Sequence, residues 1–206
     1  AAVRRGSGTM SAATGDRPAT EDVARAAVLE TARAMAPHGL NHGSAGNVSL
    51  RWHRGGADGM LVTPSALPYD RCTVDDLVWM PIVARAPDAA DPVPDGRRRP
   101  SSEWRFHHDL YAARPEVGAV VHAHAPHCTA LACLPDVQRD GIPAFHYMVA
   151  AAGGRDVRCA PYATFGTQAL SDHALAALEG RRACLLAHHG MIAVGATLES
   201  ALALAV

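Results

Sequence analysis

Apolar residues form two kinds of pattern along the chain, short runs typical of strands and longer stretches with the period of a helix. The short runs predict strands near residues 47–50, 59–63, 73–80, 120–125 and 183–187. The longer stretches predict helices near residues 20–36, 101–114, 126–134, 172–178 and 198–206. Residues 84–99 carry much of the proline and charge and are predicted to form a surface loop or hairpin. Residues 142–148 are predicted to be extended.

Hydroxyl residues at the predicted helix starts are the expected N-caps, because their oxygen accepts a hydrogen bond from a free backbone N–H. Ser101 or Ser102 is expected to cap the second helix, Ser171 the fourth and Thr197 the last. Two acidic residues after Thr20 would lie at the positive end of the first helix dipole. These positions predict where the helices begin.

The valine-rich run at 120–125 carries two histidines separated by one alanine. Alternate side chains of a strand share a face, so His122 and His124 are predicted to lie close enough to bind one ion. Neutral imidazole is a preferred ligand of zinc. The alternative is a pair of core histidines with ordinary hydrogen bonds, but the spacing in an apolar strand favours a metal site.

The apolar run at 183–187 is followed by His188 and His189. A third imidazole would complete a site of three protein ligands and an open position, the arrangement of catalytic zinc. Strand alternation lets only one of the two face the site, and the residues alone leave that choice open. Glu103 either complements a helix dipole or, near a metal, serves as ligand or general base. His127 is better explained as a helix-end residue than as a ligand.

Small and hydroxyl residues lie at two predicted strands and at one helix start. They occur at 43–49, at 63–66 and at Ser101 and Ser102. Loops of this kind let backbone N–H groups approach an anion closely, and a helix N-terminus adds its dipole. One such loop alone is most simply a turn. Their repetition favours a phosphate pocket.

Composition restricts both the class of protein and its chemistry. The chain has 206 residues, of which 49% are hydrophobic, and a net charge of −1. These values fit one globular domain without general affinity for nucleic acid or acidic lipid. All 19 basic residues are arginine, so carbonyl chemistry cannot proceed through a lysine Schiff base. A metal ion is the expected electrophile instead.

Cysteine usage and hydropathy predict the compartment. The five cysteines are scattered without a Cys-x-x-Cys pair, and no apolar run approaches the ~20 residues of a membrane helix. The N-terminus lacks the apolar segment of a secretory signal. We therefore expect a cytoplasmic protein with a disordered extension at 1–19 and one domain at 20–206. Because the last helix simply stops, the natural chain is expected to continue.

Several longer segments resemble the class II aldolase/adducin superfamily, in the right order and spacing from about residue 21 onward. They are SAGNVS at 44–49, PSSEWRFH at 100–107, VHAH at 121–124, HYM at 146–148, AAGG at 151–154, CAPYATFGT at 159–167 and HHG at 188–190. Several of them run for six residues or more, which makes the resemblance more specific than a single metal motif.

The resemblance implies a three-layer α/β/α fold around a largely antiparallel sheet. It implies one Zn²⁺ per subunit, bound by His122, His124 and His189, with Glu103 as a displaceable fourth ligand. It also implies a phosphate pocket formed by Gly46, Asn47, Ser65, Ala66, Ser101 and Ser102. A homotetramer with active sites at subunit contacts is the implied assembly.

The implied activity is reversible cleavage of L-fuculose 1-phosphate, or a similar ketose 1-phosphate, to dihydroxyacetone phosphate and L-lactaldehyde. In the condensation direction Glu103 would leave the metal and remove the donor's proton, a step that a positioned base accelerates by about 10²–10⁴-fold. Tyr147 would protonate the new alkoxide, and Phe165 would shape the aldehyde side.

Other members of the superfamily provide alternatives. Pentulose-phosphate 4-epimerases and thioribulose-phosphate dehydratases share the metal ligands and much of the phosphate pocket, and the Tyr147 segment favours the aldolase over them. A non-catalytic, adducin-like interaction module is the alternative from another class, and the retained histidines and Glu103 disfavour it.

The chain departs from the family pattern in two places. Ala66 stands where the family usually has glycine, and alanine would loosen the phosphate grip if that position requires a positive φ. The family also continues for roughly one or two helices beyond residue 206, and that tail helps to close the active site.

Overall fold

The computed structural model of this chain describes residues 18–43, 45–84 and 90–206. The predicted disordered extension at 1–19 therefore lies outside the described residues, except for its last two. The predicted loop at 84–99 is described only in part. None of the helices formed by the described residues is long and apolar enough to cross a membrane.

The described residues form helices and strands that alternate along the chain. The α-helices are α1 (Glu21–Ala34), α2 (Trp104–Ala113), α3 (Pro126–Ala132), α4 (Pro135–Asp140), α5 (Gln168–Leu178) and α6 (Leu198–Ala205). The strands are β1 (Asn47–Arg51), β2 (Gly59–Val62), β3 (Val78–Pro81), β4 (Ala119–Ala123), β5 (Cys159–Ala160), β6 (Ala183–Leu186) and β7 (Gly190–Gly195). Short 3-10 helices cover Val74–Asp76 and Tyr147–Ala152.

The strands form one open sheet in the order β3-β2-β1-β4-β7-β6-β5. All neighbouring pairs are antiparallel except β5 and β6. Strand β4 lies in the centre, where His122 pairs with Asn47 of β1 on one side and with Ile192 of β7 on the other. The end of β4 is therefore enclosed by backbone from both neighbours.

Alternation along the central strands places apolar residues on both faces of the sheet. Ala119, Val121 and Ala123 face one core together with α1, α3 and α6. Val120 faces the other core, where Phe106 and Leu110 of α2 pack together with α5. Two helical layers therefore cover a mostly antiparallel sheet, which confirms the predicted three-layer α/β/α fold.

Two of the predicted helix starts are confirmed. The side chain of Thr20 accepts a hydrogen bond from the Val23 N–H, and that of Thr197 accepts one from the Ser200 N–H. Both helices begin at the following residue. Local sequence is sufficient here because cap and acceptor lie within four residues of each other.

The other two predicted caps are wrong. Helix α5 begins four residues earlier than expected, with Thr167 as its N-cap, and Ser171 is buried inside it. Helix α2 begins after Glu103, which occupies the N-cap position, while the Ser101 hydroxyl accepts a hydrogen bond from the Glu103 N–H at 3.3 Å. The extended segment predicted at 142–148 is also shorter than expected, because a 3-10 helix begins at Tyr147.

Candidate metal centre and substrate cavity

The sheet brings three histidines to one edge of the central strands. His122 is the fourth residue of β4 and is fully buried beside Phe106 of α2, and His124 follows the end of the strand. His189 lies in the short turn that joins β6 to β7. The predicted sharing of one face by His122 and His124 is confirmed, since their Nε2 atoms are 3.0 Å apart.

The turn between β6 and β7 separates the two consecutive histidines. His188 has a φ of 57°, a left-handed conformation that is unusual for a residue with a side chain. Its Nε2 atom lies 2.9 Å from the amide nitrogen of Gln138, whereas His189 Nε2 lies 3.1 Å from His124 Nε2. Only His189 therefore joins the histidine cluster.

Glu103 approaches the same point from the start of α2. Its Oε2 lies 3.2 Å from His122 Nε2, and its Oε1 lies 3.2 Å from His189 Nε2. With His124, these residues place four potential ligand atoms within 4.8 Å of one another. His127, by contrast, is exposed on α3 and lies outside this group, as expected.

The donor set fits a divalent metal ion. His122 Nδ1 is 2.9 Å from the Met191 carbonyl and must donate its proton there, so Nε2 presents a lone pair to the cluster. Glu103 Oε1 is buried and accepts no hydrogen bond from any described residue. Tetrahedral zinc with bonds of about 2.0–2.1 Å would separate its nitrogen ligands by about 3.3 Å, close to the spacing of these atoms.

Electrostatics also favour a cation at this point. Burial, and then the neighbouring His122 and His189 rings, lower the pKa of His124 to about 4, which leaves a neutral ring with a free lone pair. Burial by itself would raise the pKa of Glu103, but the His122 and His189 rings outweigh it and hold that pKa below the usual range. The cluster therefore combines an ionised carboxylate with the neutral imidazole of His124.

Tight packing around the backbone holds the cluster in place. Asn41 is buried and accepts a hydrogen bond from the His124 N–H at 2.9 Å. Gly46 has a φ of 73°, and a Cβ added there would lie 2.5 Å from the His122 carbonyl oxygen. Tyr69 donates a hydrogen bond to the Gly46 carbonyl at 2.8 Å. Gly46 and Asn41 are thus fixed against the end of β4 that carries the histidine cluster.

A cavity of about 400 Å³ opens beside Glu103, His124 and His189. All six residues predicted for the phosphate pocket line it: Gly46, Asn47, Ser65, Ala66, Ser101 and Ser102. Phe165 and Tyr162 form part of the opposite wall. The structure therefore brings the predicted metal, phosphate and Phe165 positions to one cavity.

Ala66 occupies the conformation that makes glycine favourable. Its φ is 54°, so the side chain sits in the left-handed region at a cost of about 1–2 kcal/mol. The backbone strain expected from alanine in place of the family's usual glycine is therefore present at position 66.

Tyr147 lies away from this cavity. It is 78% exposed and lines a separate, shallow concavity together with Phe145 and His146. Phe145 and Met148 are also largely exposed, so the segment presents several large apolar side chains to solvent. Within one chain, Tyr147 does not meet the metal-binding residues.

Sequence reasoning missed several residues around the site. Asn41 lies in none of the motif segments, and Tyr162 and His188 lie in such segments but were not expected to line the cavity. His107 had a usable signal, because it lies four residues after Glu103 and therefore on the same face of α2. It is fully buried and connects to Glu103 through Asn47.

Comparisons with known proteins agree with this site. The sequence model of the family "Class II Aldolase and Adducin N-terminal domain" matches residues 26–206. The 5-methylthioribulose-1-phosphate/5-deoxyribulose-1-phosphate aldolase of Rhodospirillum rubrum is 52% identical over 189 residues, which cover 92% of this chain and 78% of that protein. The L-fuculose phosphate aldolase of Escherichia coli K12 is 48% identical over 178 residues, which cover 86% and 75%.

The same relationship is found among solved structures. A structure of L-fuculose 1-phosphate aldolase aligns with a TM-score of 0.78 at 37% identity and covers 93% of this chain and 83% of the other. The mostly antiparallel sheet, with a histidine and glutamate cluster at the ends of its central strands, agrees with an aldolase-type α/β domain. The chain belongs to the class II aldolase/adducin family.

Proposed function

We propose that this chain is a Zn²⁺-dependent aldolase that reversibly cleaves a ketose 1-phosphate to dihydroxyacetone phosphate and a short aldehyde. The observation that carries the proposal is the convergence of Glu103, His122, His124 and His189 on the wall of a cavity lined by small and hydroxyl residues. Membership of the aldolase family and the absence of lysine from the sequence support it.

His122, His124 and His189 would hold the metal, with Glu103 as the ligand that substrate displaces. A bound Zn²⁺ polarises the ketone oxygen of the substrate and stabilises the negative charge that develops on the donor half. A purely structural site does not explain this donor set, because structural zinc usually has four closed ligands that include cysteine.

The phosphate would bind at the opposite end of the cavity. The Ser65 and Ser101 N–H groups are occupied by the Arg99 and Thr63 carbonyls. The N–H groups of Ala66 and Ser102 donate to no other described residue, and the serine hydroxyls line the cavity. These groups can donate to phosphate oxygens near the N-terminus of α2, where the helix dipole favours an anion.

Glu103 would act as the general base of condensation. Its carboxylate removes the proton from the third carbon of dihydroxyacetone phosphate, and that carbon then forms the bond to the aldehyde. Cleavage runs the same steps in reverse and returns the proton from Glu103 to the donor carbon. The His122 and His189 rings keep the Glu103 carboxylate ionised, which is the form that can accept a proton.

Tyr147 would protonate the aldehyde oxygen in the active site of a neighbouring subunit. Its exposure and its distance from the cavity of its own chain support this assignment, as does the exposed apolar cluster of Phe145 and Met148 around it. A homotetramer with sites at subunit contacts is the assembly we expect, because burying these side chains against a second copy would remove apolar surface from water.

Three substrates fit the proposal, and they share the dihydroxyacetone phosphate half. Cleavage between the third and fourth carbons of L-fuculose 1-phosphate releases lactaldehyde. The same cleavage of 5-deoxyribulose and 5-methylthioribulose 1-phosphate releases acetaldehyde and methylthioacetaldehyde. All three aldehydes end in an apolar group, which Tyr162 and Phe165 can contact. Similarity to aldolases of both kinds supports testing all three.

The first experiment measures dihydroxyacetone phosphate release from each of the three substrates, with and without a chelator. Chelator-sensitive release from at least one substrate is the expected result. The epimerase and dehydratase alternatives release none, so zinc-loaded protein that turns over a substrate without this product would refute the aldolase.

A second experiment isolates the role of Glu103. Zinc-loaded Glu103→Gln should keep its metal but exchange the donor proton of dihydroxyacetone phosphate with deuterated water about 10²–10⁴-fold more slowly. Unchanged exchange in that variant would remove Glu103 from the role of base.

A further inference from the structure

A chain of buried polar groups runs behind Glu103, away from the cavity. The Tyr111 hydroxyl is 2.8 Å from the Ser49 hydroxyl, which is 2.7 Å from His107 Nδ1. His107 Nε2 contacts the side-chain oxygen of Asn47, and Asn47 Nδ2 donates to Glu103 Oε2 at 3.0 Å. None of the five side chains is an isolated polar group, and each is buried.

The direction of every hydrogen bond follows from the carboxylate. Glu103 Oε2 only accepts, so Asn47 must present its NH₂ group to it and its oxygen to His107. His107 Nε2 must therefore carry the proton, which makes Nδ1 an acceptor for the Ser49 hydroxyl. Ser49 in turn accepts from Tyr111. All donors thus point towards Glu103, and no alternative arrangement satisfies each buried group.

The neutral state of His107 is built into its surroundings. Its side chain is fully buried against Phe106, whose ring stacks on it with centroids 4.7 Å apart. Burial, followed by the nearby His122, lowers the pKa of His107 to about 3. The ring is therefore neutral at neutral pH, and its hydrogen bonds to Ser49 and Asn47 leave one favourable tautomer and one favourable orientation of the Asn47 amide.

The two carboxylate oxygens of Glu103 differ because of this chain. Oε2 accepts a hydrogen bond from Asn47, whereas Oε1 accepts none from the described residues and faces His189. A flipped Asn47 amide would place its oxygen against Oε2 and repel it. The orientation of the carboxylate therefore depends on a proton that His107 donates to Asn47, two hydrogen bonds away from Glu103.

The neighbouring histidine on α2 provides a contrast. His108 is equally buried, but it accepts from the Val83 N–H at 3.2 Å and contacts Asp109 through Nδ1. Neither of these partners belongs to the hydrogen-bonded chain behind Glu103. The two consecutive histidines match in burial, and only His107 is hydrogen-bonded to Asn47.

We propose that His107 and Ser49 are positioning residues of this active site, which fix the Asn47 amide and through it the Oε2 side of the Glu103 carboxylate. The role of Glu103 as base rests on the proposed function, but the orientation of Glu103 towards a metal does not. Neither His107 nor Ser49 touches the substrate cavity.

The test compares His107→Leu with His108→Leu. The first measurement is the affinity of each purified protein for Zn²⁺ alone, without substrate. His107→Leu should bind Zn²⁺ about tenfold more weakly than the natural chain, within the range of 10–100-fold reported for groups that orient ligands. His108→Leu should change this affinity less than about threefold. Equal affinities in the two variants would overturn the proposal.

The second measurement is made at saturating Zn²⁺ with the best substrate. His107→Leu should lower kcat by about 10–100-fold and leave KM within about threefold, because the Ala66 and Ser102 N–H groups proposed to bind phosphate are unchanged. His107→Gln keeps an N–H near Nε2 and should restore most of both losses. A Gln variant that recovers thermal stability without recovering Zn²⁺ affinity or kcat would also overturn the proposal.

A milder pair of variants covers the case in which a leucine variant fails to fold. Ser49→Ala and Ser171→Ala each remove one fully buried hydroxyl, and Ser171 donates to Asp109 at 2.7 Å, away from Glu103. Only Ser49→Ala should weaken Zn²⁺ binding, by about threefold or more. If neither variant does, Ser49 has no positioning role.

The two proposals fail in different ways. If the natural chain releases no dihydroxyacetone phosphate while His107→Leu alone weakens Zn²⁺ binding, the aldolase assignment falls and the positioning role stands. If release is normal and the two leucine variants bind Zn²⁺ equally, the aldolase assignment stands and the positioning role falls.

Discussion

The metal-binding side and the Tyr147 side of the proposed active site are built in opposite ways. Around Glu103, side chains are buried, and every polar neighbour on the chain from Tyr111 to Asn47 has a defined partner. Around Tyr147, a 3-10 helix presents Phe145, Tyr147 and Met148 to solvent. One side is enclosed within a single chain, and the other leaves large apolar side chains exposed.

This difference matches the chemistry that the two sides serve. The three candidate substrates share the phosphate and ketone half, so the groups that bind it can be rigid and buried. They differ in the aldehyde half, which under the proposed function would contact the more exposed Tyr162 and Phe165. Rigid preorganisation is favourable where charge develops, whereas an open wall tolerates different aldehydes.

The largest effect is expected from removing a ligand on the buried side. His122→Ala should lose stoichiometric Zn²⁺ and at least about a thousandfold in activity, since the metal contributes several kcal/mol of charge stabilisation. Metal content per chain and kcat measure this. His127→Ala, an exposed histidine on the next helix, is the control and should keep both. Full zinc content in His122→Ala would show that the cluster is not the metal site.

Subunit complementation tests whether the Tyr147 side is completed by a neighbour. Glu103→Gln and Tyr147→Phe should each lose about 10²–10⁴-fold in activity as homo-oligomers. Hybrids of equal parts should recover about one quarter of the natural activity, because that fraction of sites would pair an intact Glu103 with an intact neighbouring Tyr147. Hybrids of Glu103→Gln with the double variant Glu103→Gln/Tyr147→Phe are the control, because none of their sites has an intact Glu103. No recovery in the first hybrid would place both groups in one chain.

Packing on the buried side can be tested with two glycines of nearly equal φ. Gly46→Ala should lower the free energy of unfolding by about 2 kcal/mol or more, because a Cβ would meet the His122 carbonyl as well as adopt a positive φ. Gly39 has a φ of 71°, and no atom lies within 4 Å of a Cβ added there. Gly39→Ala should therefore lower the free energy of unfolding by only about 1 kcal/mol. Equal losses in denaturant titrations would mean that the loop is not packed tightly.

The smallest effect concerns strain at the phosphate end. Ala66→Gly should raise the free energy of unfolding by about 1 kcal/mol or less, because glycine adopts its φ of 54° without strain. Competitive inhibition by inorganic phosphate should become tighter. Ala163→Gly, on the same cavity but without a positive φ, should destabilise the protein instead. A lower free energy of unfolding in both variants would show that Ala66 carries no strain.

Local patterns predicted the parts of this protein that depend on neighbours in sequence. The period of two along β4 placed His122 and His124 on one face, and Thr20 and Thr197 capped their helices as expected. The same reasoning placed a cap at Ser171, which instead donates to Asp109 within the packed α2 and α5 pair. Tertiary packing outweighed the local preference there.

The sequence by itself determined which chemistry is available: imidazoles at strand spacing, a glutamate at a helix start, small loops and no lysine. The tertiary structure decided how these groups are used. It selected His189 through the turn that gives His188 a positive φ, joined His107 to Glu103 through Asn47 of β1, and left Tyr147 outside the cavity. Such choices depend on contacts between residues distant in sequence, which no local period or cap encodes.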